Sequence, residues 1–84
     1  EWTEQMNIYY NLLKEKLSKE SVKLLYNAQK IWLIYKEAQI SYLNSLYHSD
    51  MHGENHLERA EESKNLVRKR ALELKVQYKE LIEQ

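Results

Sequence analysis

Apolar residues return along this chain in steps of three and four, the rhythm of one face of an α-helix. Met6, Tyr10, Leu13 and Leu17 form a first stripe. Leu25, Ala28, Trp32, Tyr35, Gln39, Tyr42 and Leu46 form a second, with one polar member. Leu57, Ala60, Lys64, Val67, Ala71, Leu74, Tyr78 and Leu81 form a third. Strand-like alternation of apolar and polar positions never persists beyond a few residues. The stripes are interrupted twice. At Ser18-Lys19-Glu20-Ser21 either serine can accept a hydrogen bond from an orphan helix N–H. Ser18 is the better cap, because Glu20 and the next apolar residues then fall in the first turns. The second break, from His48 to Asn55, is polar and holds the chain's single glycine, Gly53, which suits a positive φ. Asp50 or Asn55 can cap the helix that follows. The pattern predicts helices over 3–17, 19–47 and 55–83.

Short connections between helices make neighbours antiparallel. The expected fold is therefore all-α, an antiparallel three-helix bundle with a short first helix and a long hairpin of helices 2 and 3, forming one domain over residues 1–84. The first helix reaches only about half-way along that hairpin. Ile40, Leu43, Leu46, Tyr47 and Leu57, in the far half, are then expected to stay partly exposed or to pack on another copy or partner.

Composition narrows the function classes. The chain has 84 residues, one Gly, no Pro and no Cys. A chain of this size buries only about 60–65% of its unfolded surface, so its core is modest. Thirteen Lys and Arg balance thirteen Asp and Glu, a formal net charge of zero. That argues against a nucleic-acid partner, which calls for a basic excess, and against a polybasic membrane contact. The longest apolar run is Ile31-Trp32-Leu33-Ile34-Tyr35, far short of a membrane span. Without cysteine there is no thiolate nucleophile, disulfide or cysteine-ligated zinc. No signal peptide opens the sequence, and Glu1 is not an initiator, so a processed or trimmed chain is expected.

The stretch Ala28-Gln29-Lys30-Ile31-Trp32-Leu33-Ile34-Tyr35-Lys36-Glu37-Ala38 resembles the signature helix of the lysozyme-inhibitor LprI-like family, A-Q-basic-x-W-x-x-aromatic-basic-acidic-A. Met6-Asn7 with Tyr10, Leu13 and Leu17 is similar to the family's first helix. Leu66-Val67, Arg70 and Glu73-Leu74 are similar to its closing stretch. The pieces come in the family's order, from about residue 5 to 76. The resemblance implies a small bacterial helical protein, periplasmic or secreted, that binds a protein partner such as a lysozyme. The family usually carries cysteines where this chain has Ile40 and near Glu62, so the disulfide that the resemblance would supply is missing.

Packing by itself explains much of the signature. Trp32 and Tyr35 are expected on the seam, and Ala28 and Ala38 are small enough to let another helix approach. Gln29 and Lys36 lie a heptad apart on one face, as do Lys30 and Glu37 on the next. Arg70 and Glu73 are expected to cross-link helix 3 to helix 2 through Glu37 or Gln29, fixing register more than adding stability. His48, His52 and His56, with Asp50 and Glu54 between them, have donors suited to zinc, copper or nickel. A continuous helix would set the three rings on one side, but Gly53 argues against continuity and no H-E-x-x-H spacing is present. A plain polar loop is therefore favoured, and no metal or cofactor is assigned. Seven tyrosines and two tryptophans against no phenylalanine suit half-wet positions in a thin bundle. Trp2, Tyr9, Tyr26 and Tyr47 lie off the main stripes and are candidates for a partner surface. Asp50, Glu54, Glu58, Glu61 and Glu62 form a local acidic excess, the expected contact for a cationic partner such as lysozyme. No nucleophile elbow or phosphate loop is present, and a thin bundle is expected to lack a ligand-sized pocket, so no catalytic residue is assigned. Self-association of the uncovered hairpin is the alternative to a foreign partner.

Overall fold

The computed structural model describes residues 1–48 and 55–83, with side chains described for 1–46 and 61–83. The described residues form helices α1 (Trp2–Lys16), α2 (Lys19–His48) and α3 (Asn55–Ile82). Each boundary lies within a residue of where the apolar rhythm and the breaks place it. The joint between α1 and α2 is as short as a joint can be. Leu17 is extended at φ −84° and ψ 157°, and its N–H still closes on the Leu13 carbonyl at 3.0 Å. Ser18 then caps α2: its Oγ accepts from the Ser21 N–H at 3.2 Å, and its carbonyl accepts from the Val22 N–H at 2.9 Å. The next helix gains an acceptor for an orphan donor, and the chain reverses without a glycine.

The helices form an antiparallel bundle in which α1 packs chiefly on α3 and touches α2 sparingly. Its core is small. Met6 and Leu13 from α1, Leu25 from α2, and Ala71 and Leu74 from α3 are buried, with Leu13 and Leu74 almost wholly enclosed. Tyr10, Leu17, Val67, Tyr78 and Leu81 pack around them half-buried. All of these lie at the end of the bundle that α1 covers. Beyond it, Ile40 and Leu43 of α2 are half-buried and Leu46 is 45% exposed, as expected where a third helix is missing. Tyr47 and Leu57 lie outside the described side chains. The result is a rod with principal extents of 50 × 20 × 16 Å.

Two expectations of the apolar pattern fail, one on α2 and one on α1. Tyr35, placed on the seam by its spacing from Trp32, is 49% exposed, and Ala28 and Ala38 face solvent rather than a neighbouring helix. The inward line runs instead through Leu25, Gln29, Trp32, Lys36, Gln39 and Leu43. It is the expected stripe with every second member moved on by one position, so polar Gln29 and Lys36 replace Ala28 and Tyr35. Trp2 and Tyr9 are the second departure. Both pack on the core, because the close approach of α1 to α3 sets Tyr9 6.1 Å from the Tyr78 ring and brings Arg68 to 5.7 Å over the Trp2 indole. Neither is therefore the free aromatic surface suggested by its position off the stripe. Tyr26 does remain 56% exposed.

Candidate functional site

The signature segment occupies the middle of α2, and its inward residues meet the other two helices at one polar junction. Gln29 is 8% exposed, the buried polar side chain among the described residues. A primary amide in that position needs partners for both ends, since an unmet polar group in a core costs on the order of 1–3 kcal/mol. Both ends are met. The Gln29 Nε2 donates to the Met6 thioether of α1 at 3.4 Å. Its Oε1 accepts from Arg70 Nε of α3 at 2.9 Å. Arg70 Nη1 in turn donates to Glu73 Oε1 at 3.3 Å. One amide thus ties all three helices at one level, with an acidic residue holding the guanidinium in place. Glu37, the other acceptor that the sequence offers Arg70, lies instead 3.6 Å from Lys36 Nζ.

One turn further along α2, Trp32 is half-buried against the core and Lys36 Nζ sits 5.8 Å from its ring centre. The lysine stem covers the indole while its charge reaches the surface beside Glu37. The signature therefore divides into an inward half (Gln29, Trp32, Lys36) that builds the bundle and an outward half (Ala28, Ile31, Ile34, Tyr35, Ala38) that the bundle leaves bare.

Contrary to the expectation of a surface without pockets, the described residues line several grooves. One of about 340 Å³ runs between α1 and α3, lined by Trp2, Gln5, Tyr9, Ala71, Leu72 and Lys75. Another of about 280 Å³ lies between α1 and α2, where Met6, Tyr10, Tyr26 and Leu33 surround Gln29. A depression of about 610 Å³ is lined by α3 alone and is the surface of one helix. These grooves offer apolar walls with charged edges, Glu1 and Lys75 on the first and Arg68, Lys69, Glu73 and Glu80 on the third. Among the described residues no group of three or more His, Asp or Glu side chains is arranged to hold a metal ion. No described helix is long and apolar enough to cross a membrane.

The acidic cluster is seen in part. Glu61 is exposed on α3 and Glu62 beside it is half-buried. Asp50, Glu54 and Glu58, and the histidines His48, His52 and His56, lie outside the described side chains. Nothing brings the described acidic pair to the Gln29 junction, which lies further along α3 at Arg70.

A family model described as Lysozyme inhibitor LprI matches residues 1–74, which takes in the short first helix, the signature helix and α3 through Leu74. The chain belongs to the LprI family. No curated protein and no solved structure matches it. As an LprI-family domain it lacks cysteine altogether. In the LprI-family frame the residue whose role sequence reasoning undervalued is Met6, placed on the first stripe. Met6 receives the Gln29 amide as well as filling the core, and no spacing rule marks a thioether as an acceptor.

Proposed function

We propose that this chain is a bacterial cell-envelope or secreted binding module, one domain over residues 1–84, which acts by protein–protein contact with a lysozyme as the candidate partner. The observation that carries this reading is the match of the LprI family model over 1–74. The form of the molecule supports it: a small rod with open grooves and exposed aromatic and aliphatic side chains suits occlusion of a partner better than bond-making chemistry. No cofactor, nucleic acid or membrane span enters the reading.

The contact we assign is the acidic stretch Asp50, Glu54, Glu58, Glu61 and Glu62, because a cationic enzyme is drawn to the local excess of carboxylates in a chain that is neutral overall. The test is lysozyme-driven lysis of bacterial cells at rising concentrations of the chain. Lysis should slow with concentration, and the effect should weaken as salt rises, since contacts at a rim are screened. Replacing Glu61→Lys and Glu62→Lys together should weaken inhibition about tenfold, close to 1.4 kcal/mol. Unchanged lysis at about 10 μM chain, an affinity well below that of ordinary inhibitors, overturns the proposal.

A further inference from the structure

The outward face of α2 is apolar over most of its length, and its pattern is regular. Leu24 and Ile31 are each 65% exposed, Ile34 62%, Tyr42 57% and Tyr35 49%. Ala28 and Ala38, also exposed, complete the row. Leu24, Ala28, Ile31, Tyr35, Ala38 and Tyr42 follow steps of four and three, the spacing of a coiled-coil seam, with Ile34 at its edge. The helix thus carries two seams, one used within the bundle and one left open.

We propose that the open seam is a self-association surface, on which a second copy of this chain lies antiparallel along α2 about a two-fold axis between Leu33 and Ile34. The choice of occupant follows from the face's own order. With the axis there, Ile34 meets Ile34 of the other copy and Ile31 meets Tyr35. Leu24 meets Tyr42, and Ala28 meets Ala38, where two methyl side chains let the helices approach closely. The flank matches as well: Asn27 falls beside Ser41. These pairings hold together, to within about one residue's rise of 1.5 Å, for a single position of the axis. Each one away from the axis occurs twice, as a two-fold interface requires. Large residues meet large ones, small meet small, and amide meets hydroxyl.

The area is sufficient. The five large side chains each leave roughly 100 Å² uncovered, about 500 Å² per copy and about 1,000 Å² in all, the lower bound for a specific association. The row from Leu24 to Tyr42 is about 27 Å long, ample for a two-helix seam. The chain is formally neutral, so two copies meet without long-range repulsion.

The absence of cysteine makes the test clean. Ile34→Cys places one thiol per chain beside the axis, and mild oxidation of the full chain should give a covalent dimer of twice 10.2 kDa. Gln77→Cys, on the outer side of α3, should give none. Sedimentation over a concentration series should show the natural chain passing from monomer to dimer. Ile34→Glu should weaken dimerisation at least about a hundredfold with helical circular dichroism unchanged, since the side chain is solvent-facing in the monomer. A chain that stays monomeric up to about 1 mM overturns the proposal. So does a dimer indifferent to Ile34→Glu, which would place the contact elsewhere. Inhibition of lysozyme through the acidic stretch is read separately, because Ile34→Glu leaves those carboxylates intact.

Discussion

Gln29 shows how one polar side chain can decide the orientation of a helix. An amide at that point of α2 meets solvent if the helix turns one way and the core if it turns the other. The core is acceptable only because Met6 and Arg70 supply an acceptor and a donor in the right places. The partners should therefore be coupled. Arg70→Met leaves the Gln29 carbonyl buried without a donor and should cost about 1–3 kcal/mol in urea unfolding. Gln29→Leu should cost a comparable amount, by leaving the Arg70 Nε–H, on a side chain only 12% exposed, without its acceptor. The double variant should recover about 1 kcal/mol of the summed loss, and strict additivity would show that the hydrogen bond contributes nothing. Apolar positions give a sharper contrast. Leu74→Ala, at 0% exposure, should lose about 2–5 kcal/mol, a large share of the total stability of so small a domain. Ile31→Ala, at 65% exposure, should change the midpoint for unfolding of the monomer by no more than about 0.5 kcal/mol.

The helices differ in what holds them. α1 has 15 residues, near the length at which an isolated helix is marginal in water, so it depends on α3 for its existence. α2 has 30 residues, yet only its first half is covered by both neighbours. Hydrogen exchange should follow that division. Amides near Leu13, Leu25 and Leu74 should be the slowest, and those of α2 beyond Gln39 should exchange markedly faster, though all are helical. Uniform protection along α2 in dilute solution would contradict it. Capping belongs to the same scale: Ser18→Ala should cost about 1 kcal/mol, read as a lower melting temperature. Much of this level was legible in the sequence. The helix boundaries and the Ser18 cap follow from local spacing and from residues whose preference is set by neighbours three or four positions away. The exposed far half of the hairpin followed from lengths alone, because a short helix cannot cover a long one.

As a whole the molecule is long for its mass. Its Cα radius of gyration is 15.7 Å, against about 12 Å for a compact globule of this chain length. X-ray scattering at high dilution should return the larger value, and a value near 12 Å would refute the rod. Elongation leaves much apolar surface outside, which is why a surface contact is the natural way for such a molecule to act. The sequence by itself determined the number of helices, their ends, the capped turn and the family, because helical rhythm and breaks are local and survive without any neighbour. Only the tertiary structure decided which face of α2 turns inward. That helix is apolar on most sides, so Leu25–Ala28–Trp32–Tyr35 and Leu25–Gln29–Trp32–Lys36 are nearly equal as stripes. The choice rests on atoms supplied by α1 and α3, the Met6 thioether and the Arg70 guanidinium, at separations of 23 and 41 residues along the chain. No pattern within α2 contains them.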